Sequence, residues 1–374
     1  MSNQDHAMTA IGLMSGTSMD GVDAAMLRTD GVRAEPLGPA LERPYRPEER
    51  DLLKAAIKAA AGLQRTDPRP AVIGEAAAMV VAAHAEAVES LLAKAGTARS
   101  EVDIVGFHGQ TVLHRPAEAW TWQIGDGAAL AAATGIDVVS RFRQADLAAG
   151  GEGAPFAPLY HQALAARSRL APPWAVLNLG GVGNVTYLGA DGRLLAFDTG
   201  PGNALIDDWM LARTGRPMDE DGALAARGRV DQAVLGALMQ NAYFGAAAPK
   251  SLDRNDFSAG AAAHLSDADG AATLAAFTVE AVRAALDHLP QAPQSWVVCG
   301  GGRHNARLMR LLAERLDAKV MSAEAAGWRG DAIEAEAFAF LAVRSLRGLP
   351  LSEPGTTGVP APLTGGVLHR APAR

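Results

Sequence analysis

Apolar residues come in short runs broken by small polar segments, and those breaks reveal the organisation of the chain. Ile11, Leu13 and Met14 precede a polar stretch from Ser15 to Gly21, and apolar positions resume from Val22 to Leu27. That pattern predicts strand, tight loop, strand. It returns after Trp174: Ala175, Val176, Leu177 and Leu179 form the run, Gly180, Gly181, Val182, Gly183 and Asn184 the break, and residues 185–188 the resumption. Asp191-Gly192 reads as a hairpin turn, and residues 194–197 as a third strand ended by Asp198, Thr199, Gly200, Pro201 and Gly202. An echo spaced by about one domain length predicts two related α/β lobes, residues 1–173 and 174–374, with a boundary near Ala171-Pro172-Pro173.

Residues 50–61 and 72–95 are dominated by Ala, Leu, Glu and Lys and predict scaffold helices. Residues 102–107 read as a buried strand with His108, Gly109, Gln110 and Thr111 just beyond it, and residues 136–140 as another that leads to Asp146. Polar residues past strand ends are where open α/β sheets place their sites. Residues 296–299 predict a short strand, Gly300, Gly301 and Gly302 a bend, and residues 305–316 a helix with Leu308, Leu311, Leu312 and Leu316 on one face. Residues 331–346 predict a last helix, and the Pro- and Gly-bearing tail from Gly348 a loop.

Composition narrows the classes. The chain has 374 residues, 49% hydrophobic and 20% charged, which is ordinary for a globular protein and excludes a low-complexity role. Its 34 basic and 41 acidic residues give a net charge of −7 without a basic run, so no nucleic-acid partner is expected. The single cysteine, Cys299, excludes an intrachain disulfide and reads as inert core, and no His/Cys spacing suits zinc. Residues 1–10 carry Asp5 but no Lys or Arg, which does not suit a secretory leader. Apolar stretches are broken by charge, as residues 76–83 are by His84 and Glu86, so no span of the roughly 18 residues a membrane requires is expected. The expectation is a cytoplasmic enzyme without a membrane partner.

Gly16, Thr17, Ser18, Met19, Asp20, Gly21, Val22 and Asp23 combine glycines for close backbone approach, two hydroxyl donors and two carboxylates, the parts of a phosphate and Mg²⁺ site with Asp20 as metal contact. The loop is not a P-loop: no lysine is near, and a strand follows where that motif needs a helix. An Asp/Gly-rich hairpin turn has the same composition, but Asn178, Gly180, Gly181, Gly183 and Asn184 repeat the arrangement. Gly300, Gly301 and Gly302 suit a nucleotide at a helix start, although the dinucleotide fingerprint fails at Asn305. Asp146, within Gln144-Ala145-Asp146-Leu147-Ala148-Ala149-Gly150-Gly151-Glu152-Gly153-Ala154-Pro155, is a candidate general base, and Glu152 a candidate partner in an acid–base pair. A helix cap or solvated loop acid is the alternative for Asp146. His108 and His114 lack metal spacing, which leaves His108 a site candidate beside a structural role. Asp331 and Glu334 fit a capping box as well as a site, and Glu334 shares a face with Phe338 and Leu341, which predicts an inward side chain.

The string from Gly12 to Asp23 resembles the opening signature of the 1,6-anhydro-N-acetylmuramic acid kinases. Agreement continues in order through Gly106-Phe107-His108-Gly109-Gln110-Thr111, Asp146 with Gly150–Pro155, Asn178–Asn184, Phe197–Asn203, Val298–Asn305 and Asp331–Ala335. The resemblance implies the two-lobed fold of the sugar kinase, actin and Hsp70 superfamily (ribonuclease H-like), with ATP and Mg²⁺ in the interlobe cleft. It also implies opening of the 1,6-anhydro sugar by water and phosphorylation of O6 in peptidoglycan recycling. Asp146 corresponds to the family's base and Glu334 to a substrate contact; His108 and Gln110 join it as substrate contacts, and Asp198 and Gly200 join the nucleotide set. Glu152 departs from the Gln that many members carry. Dimers occur in the family, which predicts a homodimer. A glycosidase using Asp146 and Glu152, or an actin-like protein hydrolysing ATP without a sugar, are the readings from other classes.

Overall fold

The computed structural model describes residues 6–252 and 256–372. Residues 1–5, including Asp5 of the stretch read for a leader, lie outside them. The chain divides into two compact units, residues 1–167 with 332–374, and residues 168–331.

In the first unit, β1 (Met8–Ser15), β2 (Gly21–Thr29) and β3 (Ala34–Pro44) form an antiparallel meander, followed by α1 (Pro47–Ala61) and α2 (Ala71–Ala95). The chain continues through β4 (Ile104–Arg115), β5 (Trp120–Ile124), α3 (Gly127–Thr134), β6 (Val138–Ser140), α4 (Gln144–Ala148) and α5 (Pro158–Arg167). β4 joins β1 in parallel and β6 joins β4 in parallel, so five strands run in the order β3-β2-β1-β4-β6.

The second unit holds β7 (Trp174–Leu179), β8 (Val182–Leu188), β9 (Leu194–Pro201), α6 (Ala204–Thr214), α7 (Gln232–Leu238), α8 (Asp267–Ala284), β10 (Ser295–Cys299), α9 (Ala306–Arg315) and β11 (Lys319–Ser322). Its order is β9-β8-β7-β10-β11, again antiparallel across the first three strands and parallel across the rest. The echo in the sequence is thus one topology built twice, the duplicated ribonuclease H-like arrangement.

The chain then re-enters the first unit as α10 (Ile333–Leu346), α11 (Pro354–Thr357) and β12 (Val367–His369), the last pairing with β6. This differs from the expected lobe of 174–374. Two glycines explain where α10 lies. A Cβ on Gly12 of β1 would stand 1.7 Å from Ala335 O, and one on Gly106 of β4 would stand 2.0 Å from Phe338 O. Only bare backbone lets the helix sit so close to the sheet. The tail also holds a helical turn and a strand where a loop was expected.

α2 corrects a second expectation, since by length and mean hydropathy (1.5) it meets the requirements of a membrane span. It is a core helix: Ile73, Ala76, Val80, Ala83, Ala87, Val88 and Leu91 are buried in one cluster with Leu53 of α1, Leu130 of α3, and Val22 and Met26 of β2.

Candidate functional site

In the first unit, residues 16–20 turn the chain between β1 and β2. Met19 N donates to Gly16 O (3.2 Å), and Met19 takes φ 56°. Gln110 braces the loop, its Nε2 donating to Gly16 O (3.1 Å) and its Oε1 accepting from Ser15 Oγ (2.5 Å). Asp20 Oδ1 accepts from Ser18 Oγ (2.7 Å) and Gly21 N (3.1 Å), while Thr17, Ser18 and Asp20 are exposed. Gly21, Val22 and Asp23 lie in β2, with Val22 in the core. The accessible part of the expected set is therefore 16–20.

Two kinds of glycine separate here. A Cβ on Gly21 would stand 2.7 Å from Arg43 O, so packing alone demands that glycine. On Gly16 it would meet only Ser18 Oγ at 3.5 Å, an ordinary contact. In the second unit a Cβ at Gly183, Gly200, Gly300 and Gly302 would strike neighbouring atoms within 2.7 Å, whereas at Gly180 it meets nothing nearer than 3.6 Å and at Gly301 nothing nearer than 3.8 Å. Internal packing does not explain Gly16, Gly180 and Gly301, which leaves their backbone open to close approach.

β4 corrects the placement of His108 and Gln110. It runs on to Arg115 because its second half pairs with β5, so both residues sit within a strand. Both are buried. His108 Nδ1 donates to Gly109 O (2.8 Å), which leaves Nε2 to accept from Arg143 Nε (3.0 Å). Burial, aided by Arg143, holds this imidazole well below its ordinary value, so it is neutral and an acceptor.

Arg143 Nη1 also donates to Gly153 O (2.6 Å). Burial lowers the guanidinium to about 10, while Glu334 and Asp146 favour its charge. Asp146 lies in α4 and is 1% exposed, so it is neither the loop acid nor the cap that its composition allowed. Its Oδ1 accepts from Gly153 N (2.7 Å) and its Oδ2 from Thr357 Oγ1 (2.6 Å). Each oxygen keeps a further lone pair, so the carboxylate is held in one orientation and can still accept a proton. Glu152 N donates to Thr357 O (2.7 Å). A glycine is required in this packing at position 151, where a Cβ would meet Asp146 Oδ1 at 2.3 Å.

Glu334 overturns two expectations. Its side chain is exposed rather than turned inward, and α10 is capped by Ala332, not by a box from Asp331. Asp331 instead pairs with Arg303 (2.8 Å) in the second unit. Glu334 is accessible yet crowded: burial pushes its carboxyl above the ordinary range, Arg143 works against the shift and Asp20 with it. Asp20, Glu334, Arg143 and Asp146 therefore form one coupled set of charges in the first unit. The buried acid of α10 is Glu336, 0% exposed, whose Oε2 accepts from Tyr160 Oη at 2.5 Å. Sequence reading passed over it, as it did Thr357.

In the second unit the three glycine segments converge on one end of the sheet. Asn178, Asn184 and Asp198 occupy one row across β7, β8 and β9, and Gly180 and Gly181 turn the hairpin between the first two strands. Asn203 N donates to Gly180 O (2.7 Å), and Asn203 Nδ2 to Leu179 O (2.8 Å). Gly300, with φ 73°, brings its bend against Asn178 and Leu179. Asp198 Oδ2 accepts from Leu252 N (2.8 Å); its carboxyl, although partly exposed, is raised by burial to about 7.

The loops suit a nucleotide phosphate with Mg²⁺. Among the described residues no three His, Cys, Asp or Glu side chains converge as a metal cage. Mg²⁺ is usually held by one or two carboxylates with phosphate oxygens and water, and exposed Asp20, with Oδ2 unbonded, is a donor of that type. A recess of about 350 Å³ in the first unit, lined by His108, Trp122, Gln123, Ser140 and Arg141 among others, shares His108 with the network. Asp146, Asp20 and Glu334 do not line it.

The sequence model described as anhydro-N-acetylmuramic acid kinase matches residues 8–371. A protein of that name from Rhodopseudomonas palustris (strain BisB18) is 55% identical over 364 residues, covering 97% of this chain and 100% of its own. One from Rhizorhabdus wittichii is 56% identical over 367 residues, covering 97% and 99%. Among solved structures, component A of the (R)-2-hydroxyglutaryl-CoA dehydratase of Acidaminococcus fermentans aligns with 91% of this chain and 99% of its own at 11% identity, TM-score 0.47.

Proposed function

The chain belongs to the anhydro-N-acetylmuramic acid kinase family, and on that premise we propose that it opens the 1,6-anhydro bridge of 1,6-anhydro-N-acetylmuramic acid with water and phosphorylates O6 from ATP. The products are N-acetylmuramic acid 6-phosphate and ADP. Asp146 takes a proton from water, the water oxygen bonds to C1, the C1–O6 bond breaks, and O6 receives the γ-phosphoryl group. Transfer of phosphate to the departing oxygen, together with strain in the bicyclic sugar, removes the need for a second carboxyl group acting as acid. Bound Mg²⁺ supplies neutralisation of phosphate charge. The observation that carries this reading is the buried carboxylate of Asp146, fixed by Gly153 N and Thr357 Oγ1 with a lone pair left on each oxygen.

The remaining assignments belong to the same proposal. Gly16 in the first unit, and Gly180 and Gly301 in the second, each offer bare backbone to phosphate, and Asp20 meets the metal or its water shell. Asn178, Gly181, Asn184, Asp198, Gly200, Gly300 and Gly302 shape the second nucleotide surface. Thr17, Ser18 and Met19 form the accessible turn, and Gly183, Gly21, Val22 and Asp23 hold the strands that carry both loops. Glu334 contacts the sugar. His108 and Gln110 act through Arg143 and the 16–20 loop that they hold, since each is buried with its polar atoms engaged. A cytoplasmic location agrees with a lone buried Cys299. A homodimer would cover exposed apolar residues such as Leu211 and Met218. Mass spectrometry of products from ATP, Mg²⁺ and the anhydro sugar tests the reading. Sugar phosphate and ADP in equal amounts support it; ring opening without ATP, or ADP release indifferent to the sugar, would replace it with a glycosidase or a simple ATPase.

A further inference from the structure

We propose that Thr357, in the C-terminal tail, is a positioning residue for the base. The inference rests on the reading of Asp146 as the group that activates water. Thr357 reaches Asp146 across 211 positions of sequence, and its hydroxyl donates to Oδ2 at 2.6 Å. Its carbonyl accepts from Glu152 N at 2.7 Å, so one residue grips both the carboxylate and the glycine loop that follows it. The surroundings leave this grip little play. Thr357 is 0% exposed, α11 ends at it, and a Cβ on Gly151 would lie 2.7 Å from Val359 Cγ1 of the same tail.

A hydroxyl donor to a carboxylate does two things. It fixes which lone pairs face the water, and as a charge-assisted bond it resists rotation of the carboxylate. A buried carboxylate with a single backbone donor would turn more freely. The tail thus carries part of the catalytic apparatus although it lies outside every glycine motif, and its return to the first unit has a chemical consequence as well as a packing one.

Thr357→Val preserves shape and removes the donor. The expected result is a kcat lower by about tenfold or more with an almost unchanged KM for the sugar. Thr357→Ser should restore kcat. An unchanged kcat in Thr357→Val, or a Ser variant as impaired as the Val variant, overturns the inference and leaves packing of the methyl group as the role. Asp146→Asn, measured alongside, separates the two levels. If it turns over like the parent, the base assignment itself fails; if it is inactive while Thr357→Val is normal, only the role of Thr357 fails. Should Thr357→Val fold poorly by circular dichroism, the comparison of Thr357→Ser with Thr357→Ala at a temperature where both are folded gives the same readout, equal rates overturning the inference.

Discussion

The two sheets share an order and a hairpin but differ in what they bring to the strand ends. The first gathers charge, with Asp20, Arg143, Asp146 and Glu334 acting on one another around the neutral acceptor His108. The second gathers backbone, with Gly300 packed against Asn178, Gly302 against Asn203 and Gly180 left open, beside the partly exposed carboxyl of Asp198. One topology thus yields a surface suited to proton transfer and another suited to close approach of phosphate. The extra material responsible is also visible: α10, α11 and β12 return to the first unit, α10 supplying Glu334 and α11 Thr357.

The largest expected effect comes from removing the base. Asp146→Asn should lower turnover by about 10²–10⁴-fold with nucleotide binding retained, measured by coupled ADP release and calorimetry; turnover within a few-fold of the parent would leave the first unit without its distinguishing chemistry. The glycines provide the next test. Gly12→Val puts side-chain atoms into the backbone of α10 and should cost about 3 kcal/mol of stability in urea unfolding. Gly16→Ala has room and should change stability by no more than about 0.5 kcal/mol while weakening ATP use. Equal destabilisation by the two would erase the distinction between packing glycines and ligand glycines.

Acidification should separate the units more gently. Burial lowers His84 to about 4 and His161 to about 3, both in the first unit, from an ordinary 6.5. Below about pH 6.5 the unfolded chain binds protons that the folded unit does not, so the first unit loses stability as pH falls from 6.5 towards 4. Asp198 has the opposite sign. Raised to about 7 from 3.8, it binds its proton in the folded state first, so the second unit gains on the same descent, modestly because the group is partly exposed. Hydrogen exchange at pH 7 and pH 5, corrected for intrinsic rates, should show protection falling in β1 and α2 relative to β7 and β8; the reverse order would contradict the buried, neutral state of these imidazoles. The smallest effect is expected from Asp20→Ala, whose exposed carboxylate makes contacts only within its turn: stability unchanged within about 0.5 kcal/mol, and a raised Mg²⁺ requirement in kinetics.

What the sequence disclosed was local. The two hairpins were legible because glycine and small polar residues interrupt apolar runs at matching places, and α1 and α2 because helix formers dominate them over many turns. What stayed hidden depends on distant partners. The length of β4 is set by β5, the inward or outward face of Glu334 by where α10 packs, and the role of the apolar α2 as a core helix by the elements that bury it. Thr357 sits in a Pro- and Gly-bearing tail whose composition says loop, and nothing near it in the chain points to Asp146. The motif around Asp146 marked the residue; the two bonds that fix its carboxylate only the fold could reveal.

The central claim is that Asp146 activates water and not a sugar hydroxyl. The direct measurement is the reaction in ¹⁸O-water, quenched before the reducing sugar exchanges its anomeric oxygen, with mass spectrometric location of the label. The account predicts label at the C1 hydroxyl, none in the bond between O6 and phosphorus, and almost no ring opening when ATP is omitted. Label at O6, or an unlabelled C1 under conditions of slow exchange, would contradict it.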